Sequence, residues 1–527
     1  MTLIQSSSIS SPQPGAVSLY AAAVHLHPQD DVAIARSFLH PGTVILLDAA
    51  LGNGEITLNA PIPAGHKLAL RLVEAGAAVR RYGQVIGFAS RRILPGDHVH
   101  THNLSAQEFE RQGDFGIDAH PVELLPETQQ QTFMGYHRPD GRAGTRNYIA
   151  IIATVNCSAH TCREIAHHFT PQLLSAYPNV DGVIALTHSY GCATRIGSQD
   201  YQLLARTLSG MARHPNVGAA IFASLGCETN QPGDLFRETG MDGRIPPLVI
   251  QDLGGIRKTV QAGIEAVEAL LPQVNAVRRT PVPVSQLMVA LQCGGSDAWS
   301  GVTANPVVGA FSDRLVRQGG SVVLAETTEI YGAEHLLTRR AASPKVGEKL
   351  LQRVRWWEEH AHQHGMEIDN NRSTGNAAGG LSTIYEKSLG AVAKAGSTPL
   401  TGVYLYAEPV TASGFGFMDS PGYDPVSVTG QVAGGCNLVL FTTGRGSAFG
   451  FKPAPSLKIS TTTQLYERML DDMDFNAGRV LEGMPIEEAG EELFGQVLAV
   501  ANGEPTKSEA QGVGEAEFAP WHLGSLL

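Results

Sequence analysis

At 527 residues the chain is about three times an ordinary domain, so two or three domains are expected. Its 43% hydrophobic and 17% charged residues make an ordinary globular balance that can bury a large core. A formal charge of −12 excludes nucleic acid, which needs a basic stripe, yet leaves room for a locally positive pocket that takes an acidic small molecule; no apolar run is long enough to span a bilayer.

Residues 1–17 are rich in Ser and Pro and lack both a basic start and a long apolar stretch, so they read as a loose tail rather than a secretory signal. Six cysteines are too few for a disulfide scaffold, and reduced thiols in the cytoplasm are expected. From 18 to 103 short apolar stretches, such as Val44-Ile45-Leu46-Leu47 and Val85-Ile86-Gly87-Phe88, alternate with turns at Pro41-Gly42, Gly52-Asn53-Gly54 and Pro95-Gly96. That pattern predicts a small β-rich domain. Residues 104–132 are polar and rich in Gln and Glu, and read as a linker.

Beyond it the texture changes. Strands are predicted at Tyr148 to Ala153, Gly182 to Leu186, Ala219 to Ala223 and Leu248 to Ile250, with helices from Ala159 to Phe169, Gln199 to Arg213 and Gly255 to Leu271. Pro281-Val282-Pro283 marks a boundary, after which the alternation restarts with strands at Leu287 to Leu291, Ser321 to Ala325 and Leu438 to Phe441 and helices from Asn305 to Gln318 and Pro344 to His364. The expected class is α/β: a small N-terminal β domain, then two parallel-sheet, Rossmann-like regions at 133–280 and 281–527.

Four cysteines follow predicted strands. Cys157 comes after Ile149 to Val155, Cys192 after Val183 to Leu186, Cys227 after Ala220 to Ala223 and Cys293 after Met288 to Leu291. Open α/β sheets bind ligands at the carboxyl ends of their strands, and thiolates there suit soft or borderline cations and iron–sulfur clusters. A single cysteine is more often a small buried hydrophobe, and there is no CxxC pair. Histidines form the second group: His25 and His27 before Asp30-Asp31, His66 after Gly65, and His98, His100 and His102 in alternation, which a strand would place on one face. A solvated polar face explains such a row equally well; neutral imidazole otherwise suits iron, manganese or zinc. His188 precedes Cys192 at a predicted strand end. Third come turns able to hold carboxylate oxygens: Arg142 to Asn147, Gly375 to Gly380 and Thr442 to Gly446. No nucleotide-phosphate loop or dinucleotide fingerprint is present.

The chain resembles the altronate/galactarate dehydratase family from about Val24 to about Gly503. Matching pieces include Ile62-Pro63-Ala64-Gly65-His66-Lys67, Gly144-Thr145-Arg146-Asn147, His188-Ser189-Tyr190-Gly191-Cys192, Leu225-Gly226-Cys227-Glu228, Cys293-Gly294-Gly295-Ser296-Asp297 and Phe441-Thr442-Thr443-Gly444-Arg445-Gly446. The N-terminal stretch is similar to that family's SAF-type β domain, and His98 to Asn103 and Arg213 to Asn216 look more like altronate than galactarate dehydratases. Where the family carries Pro-Gly-Asn-Lys, this chain has Thr374-Gly375-Asn376-Ala377, so one cation is missing.

The resemblance implies loss of water from a sugar acid to give a 2-keto-3-deoxy acid. Taking the C2 proton puts a second negative charge beside a carboxylate, which a metal ion and fixed donors must stabilise. On this reading Fe²⁺ or Mn²⁺, or an iron–sulfur cluster, is held among Cys157, Cys192, Cys227, Cys293, His25, His27 and His100. His188 is the first choice for acid or base and His66 the second, with Asp297 and Glu228 as ligands or proton carriers. Arg146, Asn147, Arg445, Asn305 and Asn376 are assigned to the substrate. Galactarate dehydratase and a sulfo-lyase are related readings; a non-catalytic sugar-acid binding protein is the reading of another class. A homodimer is expected on general grounds.

Overall fold

Short apolar stretches between Gly and Pro turns become short strands, and long unbroken apolar runs become the buried strands of parallel sheets. Both textures are present in the computed structural model, which describes residues 15–107, 114–233 and 246–524. The chain divides into two compact units, residues up to 109 together with 372–389, and 110–371 together with 390–527.

The first unit is β-rich. Its strands are Ala16–Ser18 (β1), Ala23–Val24 (β2), Val32–Ala35 (β3), Val44–Leu46 (β4), Glu55–Thr57 (β5), Lys67–Ala69 (β6), Ala78–Arg81 (β7), Gln84–Ala89 (β8), His98–Val99 (β9) and Leu104–Ser105 (β10). They form sheets ordered β1-β4-β5, β10-β8-β7 and β2-β3-β6-β9. The core includes Ala33, Ile45, Ile62 and Leu68. The expected loose tail lies mostly outside the described residues, but Ala16 and Val17 pair in parallel with Val44 and Ile45, and Ser18 caps the helix Leu19–Ala22. Nor is the expected linker loose throughout. Leu104 is buried and pairs with Ala89, Leu125 N donates to Arg317 O, and Asp118 forms an ion pair with Arg339; residues 108–113 lie outside the described residues.

The second unit holds both α/β regions. Thr132–His137 (β11) pairs with Ala143–Gly144 (β12) and with Thr280–Pro283 (β17), so the Pro-rich stretch expected as a boundary is a strand. Tyr148–Ala153 (β13), Gly182–Leu186 (β14), Val217–Ser224 (β15) and Leu248–Val249 (β16) form a parallel sheet ordered β14-β13-β15-β16. Every residue of β13 is buried, and its side chains alternate between two cores. Ile149, Ile151 and Ala153 pack toward the helices Ala159–His168 and Ile256–Ala276; Tyr148, Ala150 and Ile152 join a core shared with Ala290, Val323 and Phe441 of the next sheet.

That next sheet is built from Met288–Cys293 (β18), Ser321–Leu324 (β19), Leu400–Tyr404 (β20), Gly414–Met418 (β21), Leu438–Thr443 (β22), Ser456–Ser460 (β23) and Phe475–Asn476 (β24). Its order is β20-β21-β19-β18-β22-β23-β24 and every pairing is parallel. In both sheets the first strand, β13 or β18, lies inside, with later strands added on either side. The order in which strands are added reverses there, which opens the crevice where such sheets bind ligands. Among the described residues no helix is long and apolar enough to cross a membrane.

Candidate functional site at the sheet edges

At the carboxyl end of β18, Cys293 is buried and its Sγ accepts a hydrogen bond from Lys394 Nζ at 2.7 Å. Glu329 Oε2 stands 3.5 Å from the same sulfur. Glu326 and Glu329 come from the turn that follows β19, next to β18 in the sheet, and Lys394 from the turn Ala393–Ala395. All four side chains are buried. Glu326 has a φ of +69°, a conformation that costs a non-glycine residue energy and recurs at functional sites; Ser420 Oγ holds it by accepting from Glu326 N at 3.0 Å. Burial pulls the Lys394 pKa down, but the negative groups of Cys293, Glu326 and Glu329 together outweigh it, and the ammonium is held above its usual value. Among the described residues Cys293, Glu326 and Glu329 are the set whose ligand atoms all lie within 4.8 Å of one another. A thiol with two carboxylates is a donor set that can hold a borderline divalent metal ion.

The loop after Cys293 depends on Asp297. Its Oδ1 accepts from Trp299 N, Ser300 N and Ser300 Oγ at 2.9–3.1 Å and its Oδ2 from Thr461 Oγ1 at 3.2 Å. Burial pushes its pKa up to about 6 against the opposing pull of these donors. A Cβ at Gly444 would lie 2.1 Å from the Asp297 carboxyl carbon, so only glycine lets the two loops meet. Asp297 is thus committed to holding this loop through four hydrogen bonds. Asn305 is likewise buried, donating to Gly390 O at 2.9 Å and accepting from Thr442 Oγ1 at 2.7 Å, which anchors the helix Ala304–Arg317 instead of facing a ligand. Arg445 differs: it is exposed, and its backbone N–H donates to Gly295 O at 2.9 Å, which keeps it beside the Cys293 loop.

At the first sheet's edge, Cys157, Cys192 and Cys227 are exposed in the turns that follow β13, β14 and β15. Cys293, expected with them, belongs instead to the buried cluster at the second sheet. His188 was the leading acid–base candidate, but both its ring nitrogens are committed to backbone. Nε2 donates to Ala153 O at 2.9 Å while Nδ1 accepts from Tyr190 N at 3.1 Å. Burial lowers its pKa to about 4, so it is a neutral brace for the Cys192 turn. Glu228 is also a brace: its two oxygens accept from Thr154 Oγ1 at 2.6 Å and Gly226 N at 2.8 Å.

Arg146 and Asn147 are occupied too. The Arg146 guanidinium forks onto Glu509 at 2.7 and 2.8 Å and donates to the carbonyls of Thr145, Val500 and Glu504, leaving nothing for a substrate carboxylate. Asn147 donates to Asn179 O and Val274 O and accepts from Arg138, all from a buried position.

In the first unit the histidines gather. His66 Nδ1 and His98 Nε2 are 3.0 Å apart, His100 Nδ1 is 3.1 Å from Ser382 Oγ, and the His98 ring centroid lies 5.6 Å from that of His100 and 5.3 Å from that of His102. They face together not as one strand but because Asn103 folds the segment, donating to His98 O and accepting from His100 N. Burial, joined by neighbouring cations, holds His98 at about 4 and His100 at about 3, so both are neutral. His98 and His102 line a cleft of about 640 Å³ with Arg91 and Arg92. Beneath them Lys67 and Arg81 pair with Glu386 at 2.8 and 2.6 Å, fully buried. His25 and His27 stand outside the group: His27 Nδ1 accepts from Gln29 N at 3.1 Å, and His25 Nε2 has no hydrogen-bond partner among the described residues. Asn376, expected to touch substrate, closes a capping box with Ser373.

Sequence reasoning missed Glu326, Glu329 and Lys394. The carboxylates follow a predicted strand just as the cysteines do, so the same rule applied to acidic residues finds them. Lys394 lies in an apolar stretch of small residues with no local signal.

Three family profiles match the chain in order: the altronate/galactarate dehydratase SAF domain at residues 21–107, the second domain of D-galactarate dehydratase/altronate hydrolase at 135–275, and the C-terminal region of D-galactarate/altronate dehydratase at 284–526. The altronate dehydratase of Escherichia coli is 35% identical over 495 residues, covering 92% of this chain and 96% of its own. That of Bacillus subtilis is 34% identical over 487 residues with the same coverage. The galactarate dehydratase (L-threo-forming) of Escherichia coli is 36% identical over 451 residues, 84% of this chain and 86% of its own.

Proposed function

Because the chain belongs to the altronate/galactarate dehydratase family, we propose that it removes water from a polyhydroxy sugar acid such as D-altronate, giving a 2-keto-3-deoxy acid. One observation carries the reading: a buried cluster of a thiol, two carboxylates and an ammonium at the carboxyl edge of a parallel sheet. Loss of water needs a base for the C2 proton, a donor for the departing C3 hydroxyl and positive charge for the enediolate between them. Bound Fe²⁺ or Mn²⁺ would supply Lewis acidity, with Cys293, Glu326 and Glu329 as its holders. Glu329 is assigned the C2 proton. Lys394, held protonated by its neighbours, donates to the oxygen that leaves. Arg445 takes the substrate carboxylate. The cytoplasm is the proposed compartment, on the low cysteine content of the sequence.

Galactarate is the alternative substrate, on the strength of the galactarate dehydratase relative. Metal-replete protein offered D-altronate, galactarate and a sulfonated hydroxy acid separates these readings by which one yields a 2-keto acid. Glu329→Gln and Lys394→Met are each expected to lower kcat by about 10²-fold or more while thermal unfolding stays cooperative. Wild-type turnover by both variants would place the chemistry elsewhere.

A further inference from the structure

Lys394 is 1% exposed, and burying an ammonium is costly unless it meets compensating partners. Among the described residues its Nζ has one hydrogen-bond acceptor, and that acceptor is the sulfur of Cys293 rather than a carboxylate. Both ends of the contact are fixed. Lys394 O accepts from Ser312 Oγ at 2.8 Å, and a Cβ at Gly309 would lie 2.4 Å from Ala393 O, so the turn Ala393–Ala395 is pressed onto the helix Ala304–Arg317. Cys293 ends β18 in register with Thr442 of β22, and Gly294 N donates to Thr442 O at 3.1 Å.

The separation itself is informative. Nζ and Sγ stand 2.7 Å apart. An N–H···O bond measures about 2.9 Å and sulfur is larger than oxygen, so an ammonium and a sulfur that merely share a proton settle at about 3.3 Å. Two single bonds through one bridging oxygen hold nitrogen and sulfur at about the observed distance, whereas a direct N–S bond needs them about 1 Å closer.

We propose that Cys293 and Lys394 form an oxidative modification site, at which hydrogen peroxide joins Sγ to Nζ through a single oxygen atom. The oxidant has to be that small, because both side chains are buried. In the first step the sulfur, as thiolate, attacks one peroxide oxygen. The S–O bond forms, the O–O bond breaks, hydroxide leaves to become water, and a sulfenic acid remains. In the second step Nζ, its proton passed to the carboxylates of Glu326 and Glu329, attacks a second peroxide in the same way. Nitrogen becomes a hydroxylamine and another water leaves. In the third step the hydroxylamine oxygen attacks the sulfenic sulfur, the bond from sulfur to its hydroxyl breaks, and a third water departs. One thiol, one amine and two peroxides thus give the N–O–S bridge and three waters. The bridge takes the charge from Lys394 and the free sulfur from Cys293 together. It thereby silences the centre proposed for dehydration; this consequence rests on that reading, whereas the crosslink does not.

The test treats the freshly reduced full chain with hydrogen peroxide, caps the remaining thiols by alkylation and measures the masses of the tryptic peptides. The expected result is a joined pair of peptides carrying Cys293 and Lys394, about 14 Da heavier than their unmodified sum for one oxygen gained and two hydrogens lost. Trypsin should no longer cut after Lys394. Lys394→Arg, which keeps the positive charge, and Cys293→Ser are each expected to lose the joined pair, with cooperative thermal unfolding showing that the variants fold. Cys293 carried on to sulfinic acid while trypsin still cuts after Lys394 would overturn the site. So would a joined pair about 2 Da lighter than the sum, the mark of a direct N–S bond, or one undiminished in either variant. A protein that forms the bridge but dehydrates no sugar acid leaves the site standing and sinks the function. Full turnover by bridged protein leaves the site standing and sinks the silencing alone.

Discussion

Glu386 shows how much one buried charge can carry. Burial alone would raise its pKa, but Lys67 and Arg81 outweigh that and hold it at about 2. Because the folded value lies below the unfolded one, its contribution is complete above the ordinary glutamate range and is lost as pH falls through that range toward about 2. Glu386→Gln leaves Lys67 and Arg81 buried without their carboxylate, and is expected to destabilise the first unit by about 3–5 kcal/mol at neutral pH. The gap from wild type should shrink in acid. Denaturant midpoints across pH check this, and a gap that stays constant down to low pH would refute it. At this scale residue type was a poor guide to role. His188, Arg146 and Glu228 have the right chemistry in the right motifs, yet each is consumed by partners far away in sequence, such as Glu509 for Arg146. A single chain of letters does not display such pairings. His98, His100 and His102 were visible as a row, and their gathering follows from Asn103 rather than from strand alternation.

At the scale of elements, β13 and β18 were legible because an unbroken apolar run has no other comfortable home than a sheet buried on both faces. β20 and β21 were not, since Gly402, Gly414 and Gly416 interrupt their apolar runs. Gly402 is needed there because a Cβ would press within 2.7 Å of the Tyr404 hydroxyl. The turns after the strands matter most for function. At Gly191 a Cβ would lie 2.3 Å from Thr154 O, and φ is +104°, so glycine lets the Cys192 turn settle on the Cys157 turn. Gly191→Ala is expected to cost about 1–3 kcal/mol through backbone strain. Unchanged thermal melting would show that the turns do not depend on this contact.

Across the whole molecule, the expected β-rich start and α/β remainder are both present, while the pairing of residues 372–389 with the first unit was not foreseen. That segment is claimed by Glu386, whose partners Lys67 and Arg81 lie about three hundred residues earlier, a distance no local pattern spans. Both parallel sheets place acid, thiol or ammonium groups at the edge where their strand order reverses. Such an edge is where a small anionic substrate meets converging polar groups, and the charged cluster at the second sheet is the centre proposed for proton removal. Its most direct test follows the C2 hydrogen of D-altronate in D₂O. Metal-replete wild-type protein should release that hydrogen to solvent as the 2-keto-3-deoxy acid forms, and Glu329→Gln should suppress release and product together. A C2 hydrogen retained through turnover, or never released from any polyhydroxy acid, would contradict the account.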